Sequence, residues 1–360
     1  MTQKNIRSVA RLYVRMILLW IAAMMLFMFI RNYGVAKAGL EKIIQELGPR
    51  ELLLMCTAIG TMAGTVFATV ELLFERPYFQ KHSYSWILAG KLLFFFFTVK
   101  IMMAFGITLA TTLNGASGDT RDAMQMLQSK TYWVLFVYFV IAAALFSFVG
   151  MVSQKFGPGV LWNMFIGKYR NPREELRVFM FLDLKASTTI AEKLGHIKFS
   201  QLIQNCFADL TPVITRHKVQ IYQYVGDEAV LSWSLENGFE DNHCIHSYFD
   251  FMDVLKAGAE DYLRKYGVQP VFKAGVHLGK VIVAEVGLIK REIAYHGDVL
   301  NTTARIQSRC NELQQQLLVS DDLLHCLRPD DRIQSHPLGE ELLKGKEQKV
   351  TIYGVTRERV

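Results

Sequence analysis

Cysteine is scarce in this sequence, and its distribution argues against a cross-linked or zinc-stapled fold. The chain has 360 residues and five cysteines. The count is odd and no two cysteines form a Cys-x-x-Cys motif, so we expect reduced thiols rather than disulfides or a zinc site. The five are Cys56, Cys206, Cys244, Cys310 and Cys326.

Charge is also sparse, and long stretches of the first half have almost none. Only 20% of the residues are charged, whereas 51% are hydrophobic. The net charge is +7, but no motif combines basic and aromatic residues in the manner of a nucleic-acid-binding surface. We therefore attribute the basic balance to residues that flank membrane segments, and we expect no nucleic-acid partner.

Four apolar runs predict an all-α four-helix transmembrane bundle in contact with membrane lipid. A bilayer core of about 30 Å needs roughly 20 helical residues to cross it. The first run is short, and the third is long enough to tilt or to extend beyond the bilayer. No internal repeat or interrupted helix typical of transporters is present. The runs are Val14–Ile30, Leu52–Phe74, Trp86–Leu113 and Tyr132–Val152.

Three ionisable residues interrupt these apolar runs. Glu71 lies near the end of the second run and Lys91 near the start of the third. We expect these two to pair or to anchor the helices at the membrane interface. Lys100 lies deeper, and we expect it to face the interior of the bundle and to mark a sensing or coupling site.

The sequence pattern changes after residue 155, and we expect three parts. Residues 1–155 would be the membrane anchor, residues 156–176 a connector, and residues 177–360 a second domain. Gly157-Pro158-Gly159 separates the last apolar run from the connector, and Asn171-Pro172 lies near its end. The connector is either a plain linker or a segment that passes a change in helix geometry to the second domain.

The second domain begins with a strand that ends in an acidic residue. The short apolar run Val178–Leu184 predicts a buried strand, with Asp183 near its end. Ser187, Thr188 and Thr189 follow, and their hydroxyls are suited to cap a helix that runs from about Thr189 to His217. A strand that ends at a helix N-terminus brings its carboxylate close to the free N–H groups of the first helical turn. The carboxylate can bind a metal ion and the N–H groups can bind a phosphate.

A second acidic residue lies in a predicted tight turn. Two runs rich in β-forming residues flank Gly226-Asp227 within the segment Ile221–Trp233. This pattern predicts a hairpin with Asp227 at its tip. Two carboxylates on neighbouring strands suit a two-metal site for phosphoryl chemistry.

Four motifs in a fixed order give these residues a context. They are Phe181-Leu-Asp183-Leu, Tyr224-Val-Gly226-Asp227, Lys273-Ala-Gly-Val-His277-Leu-Gly279 and Gly297-Asp-Val-Leu-Asn301-Thr-Thr-Ala-Arg305. From about Arg173 to Val355 the series resembles the class III adenylate and guanylate cyclase catalytic domain. A short multi-span anchor joined to one such domain resembles the bacterial membrane cyclases. The resemblance implies an α+β fold with a ferredoxin-like βαββαβ core and extra strands.

The resemblance also implies a role for each matching residue. Asp183 and Asp227 would hold two Mg²⁺ or Mn²⁺ ions, assisted by the carbonyl of Leu184. Asn301 and Arg305 share one helix face; in the family this pair orients the ribose, stabilises transition-state charge and comes from the other protomer. A homodimer is then required, and two copies assemble two sites.

Further positions are expected to contact the nucleotide. Lys273 and Lys344 match phosphate-binding lysines of the family, and Ser187 and Thr188 lie where a phosphate would meet the predicted helix. Two more positions choose the base. At the first, adenylate cyclases often have Lys and guanylate cyclases Glu, whereas this chain has Gln223. At the second, where the family often has Asp, Thr or Cys, it has Ala294.

The predicted function is that of an adenylate cyclase that converts ATP to 3′,5′-cyclic AMP and diphosphate. Gln223 can donate and accept hydrogen bonds, so a guanylate cyclase that uses GTP, or a mixed-specificity enzyme, is one alternative. A membrane receptor with an inactive cyclase-like domain is another, against which the intact metal and transition-state positions argue. A diguanylate cyclase is excluded because its GG[DE]EF signature is missing.

Membrane topology follows from the substrate. Cytosolic ATP requires the catalytic domain on the cytoplasmic side, and an even number of spans then places both termini there. Basic residues precede the first apolar run and follow the fourth, as the positive-inside rule requires. We therefore expect a multi-pass protein of the inner membrane. The alternative is that the first run is a signal peptide cleaved around residues 35–38.

Overall fold

The computed structural model of this chain divides into two compact units, Met1–Lys155 and Phe156–Val360. The described residues are 3–34, 49–74, 84–113, 130–156, 160–289, 291–341 and 349–358.

Long helices form the first unit. They are α1 (Gln3–Gly34), α2 (Pro49–Phe74), α3 (Tyr84–Leu113) and α4 (Lys130–Phe156). Among the described residues, three stretches are long and apolar enough to cross a membrane: Leu12–Ile30, Pro49–Phe74 and Phe136–Ser153. The predicted run Trp86–Leu113 is helical and forms most of α3, although its side chains beyond Ile101 lie outside the described part of the chain.

Two glycines on α2 bring its backbone against α1. A Cβ atom at Gly64 would lie 2.4 Å from Cα of Ile17, and one at Gly60 would lie 2.7 Å from Cα of Ile21. Glycines four residues apart lie on the same side of a helix and allow two backbones to approach closely, which is a common basis for helix pairing in membranes. The contact between α1 and α2 therefore depends on the absence of side chains at these positions.

Gly64→Val is expected to separate α1 from α2 and to destabilise the first unit. The added side chain meets the Ile17 backbone, and overpacking of this kind costs about 1–3 kcal/mol. Thermal unfolding of the full chain in detergent measures the effect. Gly150→Val on α4 is the matched control, because a Cβ atom at Gly150 meets nothing within 4 Å. Equal loss of stability in both variants would contradict this description of the packing.

An ion pair joins α2 to α3. Lys91 Nζ lies 2.5 Å from Glu71 Oε2, and both side chains are largely buried. Ser147 on α4 donates a hydrogen bond to the other carboxylate oxygen at 3.3 Å. The prediction that Glu71 and Lys91 either pair or anchor is thus resolved in favour of pairing.

Lys100 does not face the interior of the bundle, and that expectation was wrong. The residue is exposed, and its ammonium group lies 4.6 Å from the centroid of the Phe96 ring. The reason is helical geometry. Lys100 follows Lys91 by nine positions, and at about 100° per residue the two side chains point to opposite sides of α3. Because Lys91 turns inward to Glu71, Lys100 turns outward.

In the second unit, the described strands form one eight-stranded sheet. Its strand order is β2-β3-β1-β4-β6-β8-β7, and β5 also pairs with β4. The β4–β6 pair is parallel and the others are antiparallel. The strands are β1 (Arg173–Leu184), β2 (Gln220–Val225), β3 (Glu228–Ser234), β4 (Phe272–Val286), β5 (Glu292–His296), β6 (Leu317–Ser320), β7 (Ile333–Glu341) and β8 (Val350–Arg357).

The helices of this unit complete the predicted core. They are α5 (Val160–Phe165), α6 (Ser187–Leu194), α7 (His196–Arg216), α8 (Leu235–Phe239), α9 (His243–Ala257), α10 (Ala259–Tyr266), α11 (Asp298–Ser308) and α12 (Asp321–Leu324). The succession β1, α7, β2, β3, α9, β4 with the spatial order β4-β1-β3-β2 is the ferredoxin-like βαββαβ arrangement. The predicted α+β fold is confirmed.

Alternation along β1 decides which side chains meet the helices. Side chains of a strand point alternately to the two faces of a sheet. The even-numbered positions from Val178 to Leu184 lie in the core that contains residues of α7 and α9. Phe179 packs on the other face, with Val299 of α11. Asp183 has the same parity as Phe179 and therefore emerges on the face that carries α11.

Two boundaries differ from the prediction. Strand β1 begins at Arg173 rather than Val178, because Arg173–Leu176 pairs with β4 although these residues show no apolar alternation. The helix predicted from Thr189 to His217 is divided at Gly195, whose φ of +73° interrupts it. No side-chain hydroxyl caps its start; Ala186 occupies the N-cap position with φ of +57°.

A carboxylate ties α7, α9 and β8 together. Asp250 receives a hydrogen bond from Arg216 at 2.9 Å, lies 2.9 Å from His217 Nε2 and receives another from Arg357 at 3.0 Å. Burial alone would raise the pKa of Asp250, but these three partners outweigh it and hold the pKa well below its ordinary value. The charged form is therefore stabilised in the folded state.

Asp250→Asn is expected to lower the unfolding temperature of the second unit. Losing hydrogen bonds to charged groups costs about 1.5–3 kcal/mol, and each kcal/mol corresponds to about 2–4 °C in a domain of this size. Since the folded pKa is depressed, this stabilisation is present above the unfolded value of about 3.9 and disappears as pH falls through the folded pKa. The difference from wild type should therefore shrink below about pH 4. Asp261→Asn, at an exposed ion pair with Arg264, should change little at any pH.

Candidate active site

Two carboxylates meet at one end of the sheet. Asp183 lies near the end of β1 and pairs in register with Glu228 on β3, so Asp227, in the β2–β3 turn, is its neighbour. The predicted hairpin is confirmed, and Gly226 adopts a φ of +62° that favours glycine. The charge of Asp227 acts on the carboxyl group of Asp183, as expected for side chains on adjoining positions of the sheet.

The electrostatics of this pair favour a cation. Burial, and then the negative charge of Asp227, raise the pKa of Asp183, and Lys273 only partly opposes them. Asp227 Oδ2 is buried and has no hydrogen-bond partner among the described residues. A buried carboxylate oxygen without a partner is costly, and a bound cation would satisfy it and relieve the repulsion between the two groups.

Lys273 and Gln307 hold one oxygen of Asp183. Lys273 Nζ, on β4, lies 3.3 Å from Asp183 Oδ2. Gln307 Nε2, on α11, donates a hydrogen bond to the same oxygen at 3.0 Å. The predicted site residue Lys273 is thus part of this cluster. Gln307 was not predicted; its only signal is that it follows Arg305 on the same helix.

Glu228 is a second residue of this site that was not predicted from the sequence. Burial first, and then the charges of Asp183 and Asp227, raise the pKa of Glu228 to about 7. Its position next to Asp227 in the Gly-Asp-Glu segment was the available signal. The end of the sheet therefore carries three acidic side chains with one nearby lysine, which makes it strongly suited to positive ligands.

The residues present fit divalent cations of the Mg²⁺ type. Asp183, Asp227 and the main-chain carbonyl of Leu184 are oxygen ligands. Among the described residues no group of three or more His, Cys, Asp or Glu side chains has the arrangement of a metal site. Mg²⁺ is typically held by one or two carboxylates together with water and substrate phosphates rather than by a full protein cage, so two carboxylates are sufficient.

Asn301 and Arg305 lie on α11 but turn away from Asp183 of their own chain. At about 100° per residue, Asn301 and Arg305 lie about 40° apart, whereas they lie about 120° and 160° from Gln307, which contacts Asp183. Asn301 is exposed. Arg305 Nη1 is buried and has no hydrogen-bond partner in the described part of the chain. The contacts of one chain join Lys273 and Gln307 to Asp183, and helical geometry places Asn301 and Arg305 toward the other side of α11.

The two predicted base-contacting positions lie on different strands. Gln223 is exposed on β2, next to an irregularity in the pairing with β3. Ala294 lies on β5 opposite Ala284 of β4. The neighbouring Tyr295 packs against Phe179 and Tyr222, with ring centroids 5.4 and 4.8 Å away.

The remaining predicted phosphate contacts are placed only in part. Ser187 and Thr188 form the first turn of α6, shortly after Asp183. Thr188 is exposed and Ser187 is half-buried. Lys344 lies outside the described residues, so its predicted role stays a prediction.

Comparison with known proteins gives matches over most of the chain. The family described as "Adenylate and Guanylate cyclase catalytic domain" matches residues 170–356. Adenylate cyclase 2 of Rhizobium meliloti is 32% identical over 288 residues, which cover 79% of this chain and 78% of that protein. This match is longer than the second unit and so includes part of the first.

Two further similarities concern the second unit more narrowly. Retinal guanylyl cyclase 1 of Rattus norvegicus is 25% identical over 211 residues, which are 58% of this chain but only 19% of that protein. The solved structure of a bacterial light-regulated adenylyl cyclase superposes with a TM-score of 0.53 at 18% identity, covering 64% of this chain and 67% of that chain. At such identity the structural likeness concerns the fold alone.

Proposed function

Because the chain belongs to the adenylate and guanylate cyclase family and is a nucleotidyl cyclase, we propose that it converts ATP to 3′,5′-cyclic AMP and diphosphate. The resemblance seen in the sequence is thereby confirmed at the level of the family. The observation that carries the proposal is the carboxylate pair Asp183 and Asp227, in which the buried Oδ2 atom of Asp227 has no partner among the described residues.

In the proposed reaction the 3′-oxygen of the ribose bonds to the α-phosphorus, its proton passes to solvent, and the bond between the α-phosphorus and the departing diphosphate breaks. Asp183 and Asp227, with the Leu184 carbonyl, would hold two Mg²⁺ or Mn²⁺ ions. When bound, such ions lower the pKa of the attacking hydroxyl and neutralise charge on the triphosphate. Lys273, Ser187, Thr188 and Lys344 would bind the phosphates.

The proposed enzyme is a homodimer. Helical geometry turns Asn301 and Arg305 away from the side of α11 that contacts Asp183, which supports a second copy as the source of these two groups. A twofold axis gives two equivalent sites, each with carboxylates from one protomer and Asn301 and Arg305 from the other. Arg305 would stabilise the charge that develops on the phosphoryl group in the transition state, and Asn301 would orient the ribose.

The first unit would hold two copies in one membrane and raise their effective concentration. Its apolar helices support a membrane location. We place both termini and the catalytic domain on the cytoplasmic side of the inner membrane, where ATP is available.

ATP is proposed as the substrate because Adenylate cyclase 2 of Rhizobium meliloti resembles this chain over 79% of its length. GTP is the second candidate, and Gln223 is the reason to consider it, since its amide can pair with either purine. Ala294 offers no side-chain hydrogen bond to either base.

Product analysis tests the proposal. The full chain, purified in detergent, is given ATP or GTP at equal concentration with Mg²⁺ or Mn²⁺, and the cyclic products are separated. We expect kcat/KM for ATP to exceed that for GTP by about tenfold or more, which corresponds to a difference of about 1.4 kcal/mol in activation free energy. A larger yield of cyclic GMP would reverse the base assignment, and no cyclic product from either nucleotide would remove the proposed activity.

A further inference from the structure

Gln307 connects two parts of the molecule that the proposed function uses separately. Its side-chain amide donates to Asp183 Oδ2 at 3.0 Å, the oxygen that Lys273 Nζ contacts at 3.3 Å. Gln307 is only 6% exposed, so water competes little for this bond. With Oδ2 held from two sides, the carboxylate plane of Asp183 is fixed, and Oδ1 is left for a cation.

The backbone that carries Gln307 is itself held firmly. A Cβ atom at Gly275 would lie 2.4 Å from the backbone nitrogen of Gln307, and one at Gly279 would lie 2.8 Å from Val299 Cγ2. Both glycines are on β4, and they let α11 lie directly on the strand at two points. The amide of Gln307 therefore extends from a fixed backbone position, and a shift of Asp183 and a shift of α11 are mechanically linked.

The opposite face of α11 carries Asn301 and Arg305. A helix of 11 residues held by a continuous backbone hydrogen-bond ladder moves as a unit. One face of this unit contacts the carboxylate of its own chain through Gln307, and the other face carries the two residues that the proposed function assigns to the partner's site.

We propose that Gln307 is a positioning residue that orients Asp183 for cation binding and, through α11, couples this site to the groups supplied to the partner's site. The inference rests on the proposed function, since it requires Asp183 to bind the cation and Asn301 and Arg305 to act across the dimer. The two sites of the dimer then communicate, because α11 of each protomer contacts Asp183 of one site and supplies Asn301 and Arg305 to the other.

Cation binding without turnover tests the first part. The full chain in detergent is given 3′-deoxy-ATP, which lacks the attacking hydroxyl, and free Mn²⁺ is measured by electron paramagnetic resonance. Gln307→Met keeps the size of the side chain but removes the donor, and we expect Mn²⁺ affinity to fall about 10–100-fold, as for other outer-shell partners of metal ligands. Gln204→Met, at an exposed position on α7, should leave affinity unchanged.

Stability separates positioning from simple packing. Gln307→Met should unfold within a few degrees of wild type, while Gln307→Asn, which keeps the amide but shortens its reach, should weaken Mn²⁺ binding in the same way. The Mn²⁺ affinity of either variant tests the positioning role, provided that the variant is folded. Wild-type affinity for Mn²⁺ in a folded variant would overturn the positioning role.

Mixed dimers test the coupling. When Asp227→Asn and Arg305→Ala chains are combined, only one intact site forms: its carboxylates come from the Arg305→Ala chain and its Arg305 from the Asp227→Asn chain. Adding Gln307→Met to the chain that supplies the carboxylates should raise the Mn²⁺ requirement. Adding Gln307→Met to the Asp227→Asn chain, which supplies Arg305, should lower kcat about tenfold and leave the Mn²⁺ requirement unchanged. An unchanged kcat for this mixed dimer would overturn the coupling. If the wild-type protein forms no cyclic nucleotide, the proposed function is refuted. The Mn²⁺-binding measurement does not depend on turnover, so it still tests the role of Gln307.

Discussion

Asp227→Asn is expected to lower kcat for cyclic AMP formation by about 10³-fold or more. Bound cations supply several kcal/mol of charge stabilisation in such reactions, and each 1.36 kcal/mol corresponds to a factor of ten in rate. Asparagine has nearly the same shape as aspartate but binds cations far less well. The measurement is initial rate at saturating ATP and Mn²⁺, with Mn²⁺ affinity recorded on the same preparation.

The same substitution should not unfold the protein. Burial and then the charge of Asp227 raise the pKa of Asp183. The substitution removes that charge and relieves the repulsion among the acidic side chains at this end of the sheet, so the unfolding temperature should stay level or rise. Asp331→Asn, at an exposed position, is the control and should keep full activity. A rate within tenfold of wild type for Asp227→Asn would be incompatible with a cation site at this carboxylate pair.

Arg305→Ala is expected to produce an equally large loss of kcat with a different signature. A positioned arginine that stabilises transferring phosphoryl groups contributes about 10³-fold or more. Because Arg305 turns away from Asp183 of its own chain, Mn²⁺ affinity should be unchanged in this variant, whereas it falls in Asp227→Asn. Rates and Mn²⁺ binding, measured side by side, distinguish the two classes.

Arg264→Ala serves as the control, since that side chain is 76% exposed at the surface of α10. It should retain wild-type kcat. If Arg305→Ala weakened Mn²⁺ binding as much as Asp227→Asn does, Arg305 would belong to the metal site of its own chain and would not act across the dimer.

The core of the catalytic fold could be predicted from the sequence because its signals are local. The run from Val178 to Leu184 forms a strand, and Gly226-Asp227 forms the turn that a positive φ at glycine permits. These elements place Asp183 and Asp227 side by side. The polar start of β1, by contrast, pairs with β4 without any apolar alternation, so its sequence offered no periodic signal.

Contacts between distant segments leave no local signal in the sequence. Nothing at Gln307 indicates that its amide meets Asp183, which lies more than a hundred residues earlier in the chain; the contact depends on how closely α11 lies on β4 at Gly275. Lys100 shows the same limit in the first unit. The sequence shows that Lys100 lies deep in an apolar run. The direction of its side chain depends on how α3 is rotated about its axis, and the ion pair between Lys91 and Glu71 shows that rotation.

Complementation between inactive chains tests the shared site most directly. Asp227→Asn and Arg305→Ala chains, each about 10³-fold reduced alone, are co-produced in equal amounts and purified together. Random pairing makes half of the dimers mixed, and each mixed dimer has one intact site of two, so about a quarter of wild-type activity should return. Activity that stays at the level of the separate variants, in dimers shown to be mixed, would contradict an active site built from two chains.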